Sequence, residues 1–444
     1  MALSGLDIYK LLLKTNCKDC GFATCLAFAM ALAQKKVSLD KCPHVTAEAK
    51  TELESASQPP IKLVTVGSGA HKIEMGNETV MYRHEQKFYH PTGIGFLIED
   101  TMGEGEIDAA LLKINELKFE RVGQKISADL VCIKNSSKYK NKFANAVRKA
   151  TVSTDLSIAL SSADAGSMNE AVRICVERRP LVICEDPAQI SAFVKIAKDN
   201  KLPLSIPCLD LDLAAQATEL VKKEGVEDIV INLKAKGLAG RIQKSAFLRR
   251  AALKKNYRPF GYPVLVFTEA TDQAEELAEA VSYVAKYASL VIVKNYDREF
   301  VLPLLVARQD IYQDPQKPVQ VEPRIYEIGK VTAESPILIT TNFSITYFTV
   351  AGEVEASRVP SYIVACDAEG MSVLTAWAAE KFTPETIFNT MKKFSLTDKV
   401  AHREITIPGY VAVLSGKLQE ISGWKVKVGP REASGIPNYL RNIK

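Results

Sequence analysis

The stretch 156–208, LSIALSSADAGSMNEAVRICVERRPLVICEDPAQISAFVKIAKDNKLPLSIPC, contains three short apolar runs separated by two longer stretches without internal strand character. The apolar runs are Leu156–Ser162, Leu181–Glu185 and Leu204–Cys208, and the helical stretches are Gly166–Arg178 and Pro187–Asn200. Strands that are apolar on both faces are typical of parallel sheets covered by helices. The stretch therefore predicts consecutive βα units.

The same alternation continues in both directions along the chain. The eight strand candidates are Ile94–Asp100, Ile126–Lys134, Leu156–Ser162, Leu181–Glu185, Leu204–Cys208, Asp228–Leu233, Val264–Glu269 and Leu290–Asn295. An opening strand pair, Ile61–Gly67 and Thr79–His84, is predicted before them. Eight βα units predict a (β/α)8 TIM barrel, and an open doubly wound sheet is the alternative.

Polar residues stand where the predicted barrel strands end, which is where barrel enzymes place their active sites. They are Glu99, Asp100, Asn135, Ser161, Ser162, Glu185, Asp186 and Glu269. They form no recognisable catalytic set, and the chain has no HExxH, phosphate-loop or complete GxGxxG motif. Helix N-caps explain the acidic strand ends equally well.

The composition of the 444 residues is that of an ordinary folded protein, with 47% hydrophobic and 25% charged residues. The net charge of +5 is too small to indicate nucleic-acid binding. The apolar run Cys25–Ala33 is far shorter than the ~20 residues of a membrane span. Met1–Lys10 lacks the pattern of a signal peptide, so we expect a cytoplasmic protein without membrane attachment.

Four of the nine cysteines lie within the first 42 residues, in the spacing C-x2-C-x4-C-x16-C followed by a proline. They are Cys17, Cys20, Cys25 and Cys42. A tight cysteine cluster in a cytoplasmic protein indicates metal or redox chemistry rather than disulfides. A helix is predicted over Cys25–Lys36 with Thr24 as its N-cap. The other five cysteines are predicted to be buried small hydrophobes.

The cysteine spacing favours a [4Fe-4S] cluster over zinc. Structural zinc sites usually have two short pairs of ligands, whereas this chain has one pair and two single cysteines. The final Cys-Pro resembles ferredoxin-type runs, although the spacing differs from theirs. Zinc and non-ligating cysteines remain the alternatives. His44 could replace a ligand, but a surface histidine beside the site is the simpler interpretation.

Two proline-containing stretches, Ser55–Pro60 and Tyr312–Arg324, divide the chain. The predicted domains are a cluster domain (residues 1–58), the barrel (59–312), a linker (313–325) and a smaller α/β domain (326–444). The last domain has predicted strands at Ile337–Thr341, Tyr362–Cys366, Ile405–Pro408 and Lys425–Val428, and predicted helices at Phe343–Ala356, Ser372–Phe382, Pro384–Phe394 and Tyr410–Ile421.

Three strand-to-helix junctions of the last domain are rich in small and hydroxyl residues. They are TTNFSIT at 340–346, GMSVLT at 370–375 and GPREASG at 429–435. Rossmann-like sheets bind ligands at such junctions, where helix N-termini offer free N–H groups. Ordinary caps and turns would explain any one junction, but three together indicate a ligand site.

Taken together, the cysteine motif, the barrel and the small C-terminal domain resemble the large (gamma) subunits of the corrinoid iron–sulfur protein. TTNFSITYF (340–348) and GMSVLTAWAAEKF (370–382) strengthen this resemblance, which covers essentially the whole chain. It implies a [4Fe-4S] domain, a TIM barrel and a Rossmann-like corrinoid-binding domain. It also implies a heterodimer with a smaller barrel subunit.

By the same resemblance, Cys17, Cys20, Cys25 and Cys42 become the cluster ligands. The implied corrinoid contacts are Thr340, Thr346, Gly370, Met371, Ser372, Val373 and Ala433. The implied function is that of a methyl carrier in the reductive acetyl-CoA pathway rather than a stand-alone enzyme. The other implied partners are a methyltetrahydrofolate methyltransferase, CO dehydrogenase/acetyl-CoA synthase and a reductive activator.

Many corrinoid proteins supply a lower histidine ligand through a D-x-H-x-x-G motif. None of the five histidines, His44, His71, His84, His90 and His402, has this setting. Because axial donors tune the potential of a macrocycle-bound metal, a missing donor should make Co(I) easier to reach. The alternatives are an iron–sulfur electron-transfer subunit and a barrel methyltransferase that itself binds a pterin.

Overall fold

A computed structural model describes residues 5–33, 37, 39–46, 49, 59–69 and 72–443. The chain divides into two compact units. The first comprises residues up to 118 together with 127–312, and the second comprises 119–126 together with 313–444. Among the described residues, no helix is long and apolar enough to cross a membrane.

The strands are β1 Val64–Val66, β2 Ile73–Met75, β3 Gly93–Glu99, β4 Lys118–Arg121, β5 Gln124–Ser127, β6 Leu130–Lys134, β7 Ser157–Ser162, β8 Leu181–Cys184, β9 Leu204–Cys208, β10 Ile229–Leu233, β11 Val264–Phe267, β12 Leu290–Val293, β13 Ile325–Ile328, β14 Ile337–Thr341, β15 Ser361–Cys366, β16 Glu404–Ile407 and β17 Lys425–Val428.

The described helices of the first unit are Gly5–Leu11, Cys25–Ala33, Glu104–Asn115, Lys140–Ser153, Ala165–Cys175, Ile190–Asn200, Leu211–Lys223, Gly237–Lys255, Gln273–Ala285 and Arg298–Ile311. Those of the second unit are Ser344–Ser357, Val373–Ala378, Pro384–Lys393, Leu396–Lys399, Ser415–Ser422 and Ile436–Asn442.

Eight parallel strands form a closed barrel in the first unit, in the order β3, β6, β7, β8, β9, β10, β11 and β12. Every strand of the predicted barrel takes part, so the TIM-barrel prediction is confirmed. The interior is filled by apolar side chains that alternate along the strands, such as Leu130 and Cys132 on β6 and Leu181 and Ile183 on β8.

A short antiparallel hairpin, β1–β2, packs its buried side chains against the barrel interior. The Ser157 hydroxyl at the start of β7 donates to the Val66 carbonyl, so the hairpin covers the amino-terminal end of the barrel. The prediction of a strand at Thr79–His84 is wrong. There the Val80 carbonyl accepts hydrogen bonds from Arg249, which replaces pairing with a neighbouring strand.

The predicted strand Ile126–Lys134 is two separate elements. Ile126 belongs to the hairpin β4–β5, and the barrel strand β6 begins only at Leu130. Asp129 separates them because its carboxylate accepts from the Ile94 backbone N–H at 2.9 Å and pairs with Arg308. A charged residue held in this way ends one element before the next begins.

The second unit contains a five-stranded sheet in the order β13-β15-β14-β16-β17. The four strands from β14 onward are parallel, and β13, which the sequence did not reveal, is an antiparallel edge strand. The chain winds from β14 to β15 on one side and then to β16 on the other. Open α/β sheets commonly bind ligands at such a reversal, which here falls at the carboxyl ends of β14 and β16.

The β4–β5 hairpin leaves the barrel sequence and packs into the second unit. Its two-residue turn has Val122 at φ 55° and Gly123 at φ 74°, as a type I′ turn requires. Val122 packs against a core cluster that contains Tyr326, and Arg324 pairs with Glu120 of the hairpin. The second unit is therefore assembled from two separate parts of the chain, whereas the domain bounds predicted above remain a prediction.

Candidate cofactor sites

The cysteine-rich loop leads directly into the helix Cys25–Ala33. The Thr24 hydroxyl accepts from the Ala27 backbone N–H at 3.1 Å, so the predicted N-cap is confirmed. The helix is described as far as Ala33, and the predicted last turn with Lys35 and Lys36 lies outside the described residues. Cys25 thus occupies the first turn, where the helix dipole favours a thiolate.

The backbone before this helix follows an unusual path around Cys17. Lys14, Asn16 and Lys18 all have positive φ angles, as does Gly21. The Asn16 side-chain oxygen accepts from the Cys25 N–H at 2.8 Å, and the Asn16 N–H donates to the Cys25 sulfur at 3.4 Å. Left-handed non-glycine residues concentrate at functional sites, and here they hold the loop against Cys25.

The four cysteines of the motif are all free thiols, and three of them share one small core. Cys25 is buried, Cys20 and Cys42 are half-buried and pack against the same apolar cluster, and Cys17 is exposed. Burial raises the pKa of Cys42, and the thiols of Cys20, Cys17 and Cys25 raise it further. Three of the four cysteines share one core and all four influence one another electrostatically, and such a set of thiol donors fits an iron–sulfur cluster.

His44 is engaged with a carboxylate beside this site. Its Nε2 lies 2.6 Å from Asp19 Oδ2, and hydrogen bonds from His44 and Cys17 lower the pKa of Asp19. The donor atoms of Cys17, Asp19 and His44 lie within 4.8 Å of one another. Since one ring nitrogen is already paired, this geometry favours the interpretation of His44 as a neighbour of the site.

The predicted corrinoid contacts lie at the carboxyl edge of the second unit's sheet. Thr340 and Thr341, at the end of β14, are buried, and neither hydroxyl has a hydrogen-bond partner. Gly370 is buried at φ 74°, in the loop after β15. Unpartnered buried hydroxyls are rare in folded proteins, so they fit a ligand that is polar at its rim.

The remaining predicted contacts divide between the two faces of the sheet. Met371 and Val373 pack against the core on one face, and Ala433 packs against the core on the other. Thr346 and Ser372 are half-buried, the former on the helix after β14 and the latter before the helix after β15. A ligand lying across the edge could reach residues of both faces.

Asn342, which the sequence analysis did not single out, organises this edge. Its side-chain oxygen accepts from the N–H groups of Ala368 at 2.9 Å and Gly370 at 3.1 Å. Its amide donates to Gln320 at 2.9 Å, and the side chain is 1% exposed. A buried asparagine directly after a strand at the reversal of strand order is the signal that could have found it.

Exposed apolar side chains surround the same edge and were also missed. They follow three of the parallel strands or, in the case of Val428, end the fourth: Ile345, Leu374, Trp377, Tyr410, Val413 and Val428, all at least 41% exposed. A concentration of large apolar groups at one end of a sheet marks a binding surface rather than ordinary solvent-facing structure. Together with the unpartnered threonines, this rim fits a large flat ring whose substituents are polar.

Comparisons with known proteins agree with this arrangement. A family model described as CO dehydrogenase/acetyl-CoA synthase delta subunit matches residues 63–440, and a putative Fe-S cluster model matches residues 13–44. The corrinoid/iron-sulfur protein large subunit of Moorella thermoacetica is 42% identical over 441 residues, covering 99% of both chains. This chain belongs to the corrinoid/iron-sulfur protein large-subunit family.

Archaeal members of the family are more distant. The acetyl-CoA decarbonylase/synthase complex subunit gamma of Methanothermobacter thermautotrophicus is 31% identical, covering 100% of this chain and 99% of that protein. Among solved structures, the 7,8-dihydropteroate synthase of Vibrio fischeri has a TM-score of 0.41 at 12% identity. It covers 56% of this chain and 99% of its own. That similarity gives no information beyond the barrel described above.

Proposed function

We propose that this chain is the large subunit of a methyl carrier that works in the reductive acetyl-CoA pathway. The proposal depends on one observation. This chain aligns over nearly its full length with a corrinoid/iron-sulfur large subunit, and it contains two separate sites that could each hold a cofactor. One site gathers four thiols near the amino terminus, and the other is a polar and apolar sheet edge in the second unit.

In this proposal Cys17, Cys20, Cys25 and Cys42 hold a [4Fe-4S] cluster, which supplies single electrons that return inactive Co(II) to Co(I). The chain's own residues tune this site. The helix beginning at Cys25 and the Asn16 N–H both direct positive charge toward the Cys25 sulfur. Exposure of Cys17 leaves one side of the site open to an electron donor.

The carboxyl edge of the second sheet holds the corrinoid, which supplies a cobalt nucleophile that accepts and donates a methyl group. Thr340, Thr346, Gly370–Val373 and Ala433 are the proposed contacts. The buried Thr340 hydroxyl offers an unused donor and acceptor to a polar substituent. Asn342 fixes the loop at Ala368–Gly370, so that backbone groups near the ligand stay in place.

The position of His402 supports the proposal that the second unit gives cobalt no lower histidine ligand. His402 is its single histidine, and it precedes β16 at the amino end of the sheet, opposite the proposed ligand edge. Its Nε2 contacts the Ser335 carbonyl at 3.0 Å, and its Nδ1 accepts from the Glu404 N–H at 3.2 Å. Both ring nitrogens are therefore occupied, which leaves neither free for cobalt.

The proposed partners follow from the family. The smaller corrinoid/iron–sulfur subunit and CO dehydrogenase/acetyl-CoA synthase form the assembly in which the chain works. A methyltetrahydrofolate methyltransferase loads the methyl group, and a reductive activator supplies electrons. The solvent-exposed apolar rim, with Val413 at 71% exposure and Ile345 at 67%, supports a role in which other molecules cover this edge.

The test is metal analysis and visible spectroscopy of the full chain, produced without oxygen together with its small subunit and a cobamide. We expect about four iron atoms and one cobalt per chain, with corrin bands above broad iron–sulfur absorption. Iron without cobalt would support instead an iron–sulfur electron-transfer subunit of a methyltransferase complex. Zinc in place of iron would contradict the assignment of the cysteines.

A further inference from the structure

Four residues of the predicted linker, Pro318–Val321, run along the carboxyl edge of the second unit's sheet, and we call them the strap. The Val321 N–H donates to the Asn342 carbonyl at 2.9 Å. The backbones of Gln320 and Phe343 pair as a single antiparallel bridge. The strap is therefore bonded to the backbone that leaves β14.

The strap also supplies an acceptor to the helix that follows β14. The Val319 carbonyl accepts from the Ser344 N–H at 3.0 Å and from the Ser344 hydroxyl at 2.8 Å. Ser344 is the first residue of this helix, and its N-cap residue makes no side-chain cap. The first N–H groups of a helix need acceptors from outside the helix. The strap provides one of them at the junction that contains Thr346, a proposed corrinoid contact.

The loop that follows β15 lies against the strap as well. A Cβ on Gly370 would lie 2.9 Å from the Pro318 carbonyl oxygen and 3.3 Å from the Cβ of Gln320. Since Gly370 also has a φ angle of 74°, a glycine suits this position on both grounds. Gly370 is itself a proposed corrinoid contact. The strap thus adjoins two of the three junctions that supply these contacts.

One buried side chain joins the strap to that loop. The Asn342 amide nitrogen donates to the Gln320 side-chain oxygen at 2.9 Å, while its oxygen accepts from the N–H groups of Ala368 and Gly370. The Asp367 carboxylate, 3.4 Å from the same nitrogen, is a more distant acceptor. Because Gln320 engages the donor end of the amide, the acceptor end faces the loop. Gln320 therefore fixes the orientation on which the loop depends.

The shared asparagine couples the strap to the occupancy of the edge. An opening that releases Asn342 frees the strap and the loop together, and a ligand that binds only the closed form makes such openings rarer. The buried and unpaired hydroxyls of Thr340 and Thr341, directly before Asn342, point to a ligand at this place. Coupling of this kind is reciprocal, so a firmly held strap also favours the ligand.

We propose that the strap is a wall of the corrinoid site and that Gln320 is a positioning residue, which acts through Asn342 on the loop that contains Gly370. Corrinoid binding and attachment of the strap then stabilise each other. This inference rests on the proposed function, because it takes the ligand of the edge to be a corrinoid.

The test is hydrogen exchange measured by mass spectrometry on the full chain with its small subunit, without oxygen, in the presence and absence of cobalamin. Cobalamin should slow exchange of the Val321 N–H at least about tenfold, because this group opens together with Asn342. Bound cobalt with unchanged exchange in the strap would overturn the inference alone. A protein that takes up no cobalt would overturn the proposed function, and this inference with it.

Gln320→Met removes the acceptor of the Asn342 amide and keeps a side chain of similar length. It should weaken cobalamin binding at least about fivefold, since part of the binding free energy then goes into ordering the loop. It should also reduce the slowing of exchange at Val321. An affinity equal to that of the parent would contradict the positioning role.

Gln419→Met is the matched control. The Gln419 side-chain oxygen accepts from the Val426 N–H at 3.2 Å, toward the amino end of the sheet and away from the ligand edge. The variant loses an equivalent hydrogen bond and should leave both cobalamin affinity and exchange in the strap unchanged. Equal losses in the two variants would show general destabilisation of the unit and overturn the role of Gln320.

Discussion

At the scale of single residues, the proposed cluster ligands allow electron supply to be tested apart from methyl transfer. Replacing Cys20 with Ala should remove the iron–sulfur absorption and abolish reactivation of Co(II), because three thiols hold such a cluster poorly. Methyl transfer from preformed Co(I) should continue at nearly the normal rate. Iron content, reactivation and single-turnover methyl transfer measure the three effects.

The control for this variant is Cys175→Ala, which removes a buried thiol of the barrel far along the chain from the motif. It should retain iron and reactivation. Loss of methyl transfer from Co(I) in the Cys20 variant would mean that the cluster is structural or takes part directly in the transfer.

Asn342 offers a second prediction at the residue scale. Asn342→Ala leaves the buried N–H groups of Ala368 and Gly370 without acceptors, so it should lower the free energy of unfolding by about 2–4 kcal/mol. Both tryptophans, Trp377 and Trp424, lie in the second unit, so urea unfolding followed by tryptophan fluorescence measures this loss. Asn438→Ala, at an exposed helical position, should change the midpoint little; an equal shift there would refute a special role for Asn342.

At the scale of the element, closure of the barrel depends on a missing side chain on β3. A Cβ at Gly95 would lie 2.5 Å from the Ile292 methyl group and 2.7 Å from that of Leu130. Gly95→Val should therefore destabilise the barrel by about 1–3 kcal/mol through overpacking. Thermal unfolding by circular dichroism measures it. Gly105→Ala, in a helix where a Cβ meets nothing within 4 Å, should be neutral or slightly stabilising.

The pair β16–β17 carries a prediction for pH. Hydrogen bonds from Lys425 and Lys427 lower the pKa of Glu404 to about 2. A lowered folded-state pKa stabilises the protein above the ordinary value of 4.5, and this contribution is lost as the pH falls from there toward 2. Because the site is exposed, Glu404→Gln should lower stability at pH 7 by less than about 1 kcal/mol. The difference between variant and parent should shrink at pH 3, and a constant difference would contradict the ion-pair origin.

Elements were predictable where hydrophobic pattern and turn chemistry agreed, and less so elsewhere. All eight barrel strands and the four parallel strands of the second sheet follow from apolar runs. β13 escaped notice because it follows a proline-rich stretch, and Thr79–His84 failed because Arg249 takes the Val80 carbonyl. The second effect is not local in sequence, since Arg249 comes from a distant part of the chain.

The candidate sites show the same division. The cysteine set was predictable because its spacing alone implies a shared metal, and in the structure Cys20, Cys25 and Cys42 pack in one core while Cys17 is exposed. Asn342 and the apolar rim were not predictable, because these residues form a site only when four strands end at the same edge of the sheet. The strap was not predictable either, because it has the composition of a linker and its hydrogen-bond partners follow β14.

At the scale of the whole molecule, the two units have separate cores and should report separately on stability. Gly95→Val should shift the transition seen by circular dichroism and leave tryptophan fluorescence unchanged, whereas Asn342→Ala should move the fluorescence transition. Larger multidomain chains commonly unfold in such steps. Coincident shifts of both probes in both variants would show one cooperative unit instead.

The hairpin β4–β5 has a consequence for how the second unit could be isolated. A domain joined by one segment is released by a single cut, but here the polypeptide passes between the units three times, at residues 118–119, 126–127 and 312–313. A fragment that begins at residue 313 would lack the hairpin, and with it the Val122 side chain of the core cluster and the Glu120 partner of Arg324. Excision of the second unit would therefore have to carry residues 119–126 along with it.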